Sequence, residues 1–243
     1  MLQALFMKLV LNPANSLTAL MIFLAVNATG QSVSSSVSTN FFVEAYNIRG
    51  RPFTNPDASN IEGTPLLNQE WGKGTVYFKD GAVAQNIELK FNLEKNELYF
   101  NREGELFLFN DPIMSFRMNY SSGSGKKEVH FRSGYPVNGR LLKETFYEVL
   151  EDGAKFHFVA YRFTYLADSY RYGGQSKKVF TENEELYIYD VAFGKMLKIK
   201  RSESSLIEAL PDYKDKIATV IRDYKLKMKS NGDVQKIVLE LNK

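Results

Sequence analysis

The chain has 243 residues, and its 31 basic and 28 acidic side chains leave a formal net charge of only +3. A charge balance this small does not indicate binding to nucleic acid or to a membrane surface. The absence of cysteine excludes disulfide bonds and the lipid-modified cysteine of a bacterial lipoprotein. Eighteen phenylalanines and fourteen tyrosines favour strands.

The first thirty residues have the pattern of an export signal. Residues 17–26 (LTALMIFLAV) form an uncharged apolar run, too short for a membrane-spanning helix, which needs about 20 residues. Small residues at Ala28 and Gly30 suit signal peptidase, and Met7-Lys8 supplies the cation expected near the start of a signal. We expect residues 1–30 to be cleaved, giving a periplasmic or secreted chain without a transmembrane segment. The alternative is a retained helix that is buried or anchors the chain in a membrane.

The remaining chain divides into a leader, a β region and a helical tail. Residues 31–60 are a Ser-rich leader and an irregular segment. From residue 61 to 201, segments rich in Val, Ile, Tyr and Phe alternate with turn signals such as Asp80-Gly81. Strands joined in sequence by tight turns predict an antiparallel meander, and about ten strands must curl into a barrel-like sheet or split into two packed sheets. The predicted fold class is mainly β.

A long hairpin is predicted around a type I′ turn at Asp152-Gly153. This register places Val149 opposite Phe156 on one face of the hairpin. On the other face it places Glu148 opposite His157, as an acid–base pair if buried or a weak ion pair if exposed.

In residues 202–243 the apolar spacing changes from strand to helix. Ser204 or Ser205 is expected to cap a short helix that ends at Pro211. Asn231-Gly232 is expected to break the chain, and Asp233 to cap the last helix. An intervening helix is predicted from the apolar stripe of Tyr213, Ile217, Val220, Ile221 and Tyr224. These stripes should pack on the sheet, although docking to another protein is an alternative.

The residue types that most catalytic chemistries need are missing or scattered. His130 and His157 are the only histidines, too few for a zinc site without cysteine. GSGKK at 123–127 lacks the first glycine and the Ser/Thr of a phosphate-binding loop, so a solvated hairpin loop is the better interpretation. We expect no catalytic residue, no metal, no cofactor and no nucleic-acid partner.

The richest aromatic and cationic stretch lies at residues 161–172. It contains the candidate ligand-binding residues Tyr161, Arg162, Tyr165, Tyr170 and Tyr172. Exposed rings beside a guanidinium suit sugar stacking or cation–π contacts. On a strand, however, Tyr161, Phe163 and Tyr165 share one face, so a half-buried structural face is the alternative interpretation.

Several short motifs are spread over most of residues 61–243. They are GTPLL (63–67), EW (70–71), GTV (74–76), LKFNL (89–93), NELYF (96–100), FYEVLEDG (146–153) and LN (241–242). Together they resemble an uncharacterised family of exported β-rich proteins common in Bacteroidota-type Gram-negative bacteria. The resemblance implies export and a shared fold, and it implies no activity.

Three functions are consistent with this sequence. The first is an exported, non-enzymatic β-domain that binds a hydrophobic small molecule or an envelope component such as an envelope protein, which predicts a cavity lined by Phe and Tyr. The second is a carbohydrate-active hydrolase with a carboxylate pair in an open cleft. The third is a protein–protein interaction module, which predicts an exposed apolar patch or an unpaired edge strand.

Overall fold

The computed structural model describes residues 42–43, 48–52, 61–123, 125–169 and 177–243, so the predicted signal lies outside the described residues. The described strands are β1 (Phe42–Val43), β2 (Gly50–Pro52), β3 (Ile61–Glu62), β4 (Gly72–Phe78), β5 (Val83–Asn92), β6 (Glu97–Arg102), β7 (Glu105–Phe109), β8 (Ile113–Ser122), β9 (Gly125–Arg132), β10 (Tyr147–Asp152), β11 (Phe156–Ser169), β12 (Lys177–Asp190) and β13 (Lys195–Ile199). The described helices are α1 (Glu203–Ala209), α2 (Lys214–Asp223) and α3 (Asn231–Asn242), with a 3-10 turn at Pro211–Tyr213.

These strands form one sheet that does not close, in the order β13-β12-β11-β10-β9-β8-β4-β5-β6-β7-β2. Every pair along this order is antiparallel, while β1 and β3 add parallel pairs to β5 and β12. The prediction of a mainly β fold with C-terminal helices packed on the sheet is confirmed. Two neighbouring pairs in this order are not consecutive in the chain, because β8 pairs with β4 and β2 pairs with β7. The sheet is therefore two meanders joined side by side.

The turn predicted at Asp80-Gly81 joins β4 to β5. Gly81 has φ +90°, a left-handed conformation that glycine adopts without a steric penalty. The Asp80 carboxylate accepts a hydrogen bond from the Ala82 amide (3.0 Å), and the Phe78 amide donates to the Ala82 carbonyl (2.9 Å). The local sequence therefore determines this turn.

One row of paired residues crosses eight strands on a single face of the sheet, which we call the core face. In strand order the row is Ala84, Val76, Phe116, Phe131, Glu148, Ala160, Leu186 and Ile199. Seven of these residues are apolar and buried, and Glu148 is the exception. The charged residue lies at the centre of an otherwise apolar row.

Two apolar clusters lie on the core face, one on each side of Glu148. The phenylalanine cluster is built on Phe91, Phe116 and Phe131, whose ring centroids lie 4.7–5.2 Å apart. The helix cluster joins sheet residues such as Ile188 to residues of the three helices such as Val238. Burial of these apolar stripes holds the helices on the sheet, since short helices have little stability alone.

The opposite face of the sheet, the tyrosine face, is partly covered by the segment that joins β9 to β10. Tyr135 and Leu141 of this segment pack on Tyr147, Val159 and Tyr187. The rings of Tyr135 and Tyr187 meet Tyr147 edge-on, with centroids 5.4 and 5.9 Å away. The parts of β10–β12 around Tyr147, Val159 and Tyr187 are therefore buried on both faces, which accounts for their aromatic content.

The register of the β10–β11 hairpin differs from the prediction. Glu148 pairs with Ala160, and Asp152 pairs with His157. A bulge at Leu150 shifts the pairing between the two ends of the hairpin, so the predicted pairing of Glu148 with His157 is wrong. Residues 153–155 connect the strands in place of a two-residue turn, and this longer loop is what moves the register.

The last helix holds this loop in place. The Asn242 side chain accepts hydrogen bonds from the amides of Lys155 and Phe156, both at 2.9 Å, and donates to the Phe156 carbonyl at 2.9 Å. A Cβ atom on Gly153 would overlap the Asn242 amide. The loop conformation thus depends on a residue 87 positions away from Lys155.

The helix caps also differ from the sequence prediction. Ser202 and not Ser204 or Ser205 caps α1, because its side chain accepts from the Ser205 amide (3.3 Å). The helix ends at Ala209, two residues before Pro211.

In α3 the N-cap is Ser230, and Asp233 is its partner in a capping box. Asn231 and Gly232 lie in the first turn of α3, so they do not interrupt the helical structure at this point. The Asp233 carboxylate reaches back to the Ser230 amide (3.3 Å) and so starts the helix three residues earlier than the predicted cap.

We expect Asn242→Ala to lower the free energy of unfolding by about 1–3 kcal/mol, since it removes three hydrogen bonds, two of which are part-buried. Gly153→Ala should be destabilising in the wild-type background and nearly neutral when Asn242 is already Ala. Urea unfolding of the four proteins of this double-mutant cycle measures the coupling. Additive effects of the two substitutions would contradict this role of Asn242.

Candidate functional site

A buried arginine meets the one charged residue of the core-face row. Arg162 lies on β11 two residues beyond Ala160, so it faces the same side as Glu148. Its Nη1 donates to Glu148 Oε2 at 3.3 Å, and the two side chains are only 18% and 17% exposed. Burial alone lowers the pKa of Arg162, but the charges of Glu148 and Glu182 outweigh burial and raise it above its usual value. The guanidinium therefore remains charged between the two apolar clusters.

Two further carboxylates on β12 extend this charged group. Arg162 Nε donates to Glu182 Oε1 at 3.0 Å, and Glu184 forms an ion pair with Arg201. Asn231 at the start of α3 completes the contact, because it donates to Glu184 Oε2 (3.1 Å) and accepts from Arg201 Nε (2.9 Å). These contacts connect the sheet to the beginning of α3.

The charged side chains line a hollow of ≈ 580 Å³, which we call the Arg162 hollow. Its lining residues are Lys127, Glu148, Leu150, Arg162, Glu182, Asn183, Glu184, Arg201 and Asn231. Three cations and three carboxylates line this hollow, so their formal charges balance. Glu182 also lines a second hollow of ≈ 540 Å³. We call the two hollows together the core-face cleft.

The second hollow is named after Thr164, which pairs with Glu182 across β11 and β12. Thr164 is 7% exposed, and its hydroxyl has no hydrogen-bond partner among the described residues. The Thr164 hollow is lined by Thr64, Leu66, Leu67, Asn68, Gln69, Glu70, Tyr120, Ser121, Ser122, Gly123, Thr164, Phe180 and Glu182. An unpaired buried hydroxyl costs free energy, so hydrogen bonding at this side of the cleft is incomplete.

Tyr120 stands between the two hollows on the core face. Burial raises the pKa of its hydroxyl above the usual value, and the nearby Arg162 guanidinium opposes that rise. The phenol is therefore neutral at physiological pH, with its hydroxyl beside the guanidinium. Within the described residues the cleft holds no group of three or more His, Cys, Asp or Glu side chains placed to bind a metal.

The structure separates the candidate residues that the sequence predicted. Arg162 lies in the core-face cleft, while Tyr161 lies on the tyrosine face, stacked on Phe163 with ring centroids 5.3 Å apart. Tyr165 follows on the same face as Tyr161 and is 45% exposed.

Tyr170 and Tyr172, the other two candidates, lie outside the described residues. The alternation of side chains along β11 thus places the one predicted cation and its two described tyrosine neighbours on opposite faces.

The residues that the sequence did not single out are Thr164, Tyr120 and the pairing of Glu148 with Arg162. Each becomes visible only once the strand register is known. Only one sequence pattern pointed to these residues. Arg162 and Thr164, like Glu182 and Glu184, are two residues apart, and residues two apart in a strand share a face. That spacing is common in strands and does not identify a site by itself.

His157 belongs to a closed network on the tyrosine face. Its Nδ1 lies 3.1 Å from the Tyr135 hydroxyl, and its Nε2 lies 3.3 Å from Asp152 Oδ1. Burial lowers the pKa of His157, while Asp152 opposes that change. Arg132 donates to Asp152 at 3.0 Å and holds the carboxylate in place. The carboxylate partner of His157 is therefore Asp152 and not Glu148, and Tyr135 contacts the other side of the imidazole ring.

Comparisons of the chain with protein-family models, with curated proteins and with solved structures found no match. Within the described residues, none of the helices has the length and apolar content that a membrane crossing requires. The geometry of the cleft is therefore the basis for assigning a function.

We expect Arg162→Met to lower the free energy of unfolding by about 2–4 kcal/mol, because it leaves Glu148 buried without its cation. The double variant Arg162→Met/Glu148→Leu should lie within about 1 kcal/mol of the wild type, since it continues the apolar row. Glu182→Gln is the matched control and should cost less than about 1 kcal/mol, because Glu182 is half exposed. Chemical denaturation measures all three, and a double variant less stable than Arg162→Met would contradict the assignment.

His130 should make the fold acid-sensitive. Burial first, and then the positive charges of Arg117 and Arg132, lower its pKa from 6.5 to about 4, with Asp152 opposing. The unfolded chain therefore binds the proton more readily, and stability that is complete above pH 6.5 is lost as the pH falls towards 4. After allowance for the partial exposure of the ring, we expect the wild type to lose about 1–2 kcal/mol more than His130→Gln between pH 7 and 4. Parallel pH curves for the two proteins would exclude this contribution.

Proposed function

We propose that this protein is an exported, non-enzymatic binding domain, and that the core-face cleft binds a polar part of an envelope component. The supporting observation is Thr164, a buried residue of the cleft whose hydroxyl has no hydrogen-bond partner among the described residues. A ligand that forms this hydrogen bond removes the cost of leaving the hydroxyl unpaired. Export is supported by the apolar run at residues 17–26.

The packing of the core argues against a hydrophobic ligand held inside the curled sheet. The space beside the core face is filled by the phenylalanine cluster, in which Phe116 and Phe131 stack at 5.0 Å with an angle of 12°. Phe91 and Phe146 close the same cluster, with centroids 6.0 Å apart. A ligand in that space would have to displace closely packed rings.

The contacts of the carboxylates argue against a carbohydrate-active hydrolase. Glu148, Glu182 and Glu184 each accept a hydrogen bond from an arginine. A glycosidase requires one carboxyl group that donates a proton to the leaving oxygen. The cleft is better suited to holding a ligand than to cleaving it.

A second candidate function is supported by an apolar hollow at the end of the sheet. This hollow of ≈ 690 Å³ is lined by side chains that include Phe156, Phe193, Leu210 and Tyr213. Phe193 is 75% exposed, which is unusual for a large apolar side chain. A protein–protein interaction module or a site for a hydrophobic small molecule would use this surface.

We expect Gly123→Trp to abolish ligand binding without unfolding the protein. Gly123 lines the Thr164 hollow, and a Cβ atom there meets nothing within 4 Å, so an indole can be added at the rim of the cleft. Co-sedimentation of the purified protein with envelopes of a Bacteroidota-type Gram-negative bacterium should show at least about tenfold weaker binding for Gly123→Trp.

Gly123→Ala is the matched control, because a methyl group leaves the cleft open, and it should bind like the wild type. Both variants should keep the wild-type urea midpoint. Equal binding by Gly123→Trp and Gly123→Ala, or no binding by the wild type, would reject the proposed function of the cleft.

A further inference from the structure

We infer that the protein docks on the anionic lipid surface of an envelope membrane through a cationic loop between α2 and α3. This loop comprises residues 224–230, and we call it the lysine loop. The inference goes beyond the proposed function, because the lysine loop lines neither hollow of the core-face cleft. The free charges of the loop, its anchored conformation and an adjacent half-exposed tyrosine support it.

The small net charge of the chain conceals an uneven distribution. Residues 195–243 contain twelve basic and seven acidic side chains, a net charge of +5, so residues 1–194 together carry −2. Asymmetry of this kind favours contact of the basic part with an anionic surface, even though the whole chain is nearly neutral. The cations of the tail that have no carboxylate partner are therefore the ones available for such a contact.

The lysine loop (YKLKMKS) contains three lysines and no acid. Lys225, Lys227 and Lys229 are exposed, and none of them forms an ion pair with a described residue. The acids on either side of the loop are already bound. Arg222 holds Asp223 at 3.1 Å, and the amides of residues 229 and 230 donate to the Asp233 carboxylate at 2.9 and 3.3 Å. The charges of the three lysines are therefore free.

A second basic stretch of the tail, at residues 195–201, is partly neutralised by the sheet. Lys198 pairs with Glu185 at 2.9 Å, and Arg201 pairs with Glu184. Cations that are already paired gain little from a second anion, because they must first give up the carboxylate. The lysine loop is therefore the better candidate for binding an anionic surface.

The lysine loop is anchored in a conformation that leaves its charges outside. Leu226 and Met228 are half-buried and pack on the helix cluster, so the lysines alternate with apolar anchors. The Leu226 amide donates to the Ile221 carbonyl at 3.0 Å, and the Lys229 amide donates to Asp233 at 2.9 Å. Because the backbone is held in this way, docking through the lysines requires little additional ordering of the loop.

Tyr224 adds an aromatic side chain at the beginning of the same loop. It is 50% exposed, the Lys236 Nζ lies 4.2 Å from its ring centroid, and its hydroxyl donates to Glu240 at 3.1 Å. Tyrosines with an exposed ring and a polar hydroxyl are enriched at the headgroup level of membranes. Tyr224 is therefore suited to lie among headgroups beside the three lysines.

A lipid surface suits the lysine loop better than an acidic protein does. A stable protein interface buries an apolar centre, whereas the apolar side chains of this loop pack inwards on the helix cluster. A bilayer that contains anionic lipid requires only basic side chains near its surface. The export proposed for the chain would bring the loop to such a membrane.

Vesicles of known composition test this docking. The purified protein is sedimented with phosphatidylcholine vesicles that contain about 30% phosphatidylglycerol, or with vesicles of phosphatidylcholine alone. At about 0.1 M salt we expect at least tenfold stronger binding to the anionic vesicles. This preference should disappear at about 1 M salt, because the Debye length falls from about 10 Å to about 3 Å.

The triple variant Lys225→Gln/Lys227→Gln/Lys229→Gln should bind the anionic vesicles at least about tenfold more weakly, since each lysine near the surface contributes about fivefold. The matched control is Lys73→Gln/Lys79→Gln/Lys143→Gln, which removes three exposed charges from other parts of the molecule. It should bind within about twofold of the wild type, because these lysines lie outside the docking surface. Both variants should keep the wild-type urea midpoint.

Three results would overturn the inference: equal binding to the two kinds of vesicle, binding to anionic vesicles that persists at 1 M salt, or equal losses in the two triple variants. An acidic protein is the occupant instead if the lysine-loop variant binds anionic vesicles like the wild type but loses a protease-sensitive part of envelope binding.

Gly123→Trp separates lipid docking from the proposed function of the cleft. This variant should bind anionic vesicles like the wild type, because Gly123 lines the Thr164 hollow and not the lysine loop. On whole envelopes the two contacts act together, so losing either one should weaken binding. Failure of the vesicle experiment therefore leaves the function of the cleft intact, and failure of the Gly123→Trp experiment on envelopes leaves lipid docking intact.

Discussion

The ion pair between Glu148 and Arg162 is the constraint on which the arrangement of the core depends. A row of apolar side chains crosses eight strands, and Glu148 interrupts it at the centre. A carboxylate in that position must have a cation, since burying it alone would cost more than the fold can offset. Arg162 supplies the charge from the neighbouring strand. The pair divides the core face into a phenylalanine cluster and a helix cluster, and the polar cleft lies at the boundary.

The C-terminal helices are an integral part of the sheet domain. They cover the helix cluster, and Asn231 and Asn242, at the two ends of α3, each bind the strands through their side chains. Asn242 determines the conformation of the β10–β11 loop, while Asn231 holds Glu184 and Arg201 at the side of the cleft. Loss of the tail would therefore expose apolar residues and also release one wall of the cleft.

The two faces of β11 and β12 have different roles. On the tyrosine face, the rings pack on one another and on Tyr135 and Leu141, and His157 is paired with Asp152. Burial raises the pKa of Tyr147 in this cluster to about 12, as expected for a phenol packed among other rings. On the core face, hydrogen bonding is incomplete at Thr164, and the surface is concave. The hydroxyl of Tyr147 is also unpaired among the described residues, but Tyr147 lines neither hollow of the cleft. The aromatic residues at 161 and 163 therefore serve packing, while Arg162 and Thr164 line the cleft.

The sequence by itself determined the local elements: the strands of residues 61–201, the turn at Asp80-Gly81 and the presence of three short helices. These follow from side-chain periodicity and from backbone preferences that act over a few residues. The tertiary structure decided the pairing of β8 with β4, the bulge at Leu150 and the partner of Glu148. Periodicity assigns residues to faces only once the register is known, and here the loop that shifts the β10–β11 register is bound by Asn242 from the far end of the chain. The cleft was invisible in the sequence for the same reason, because its residues come from strands whose alignment no local pattern specifies.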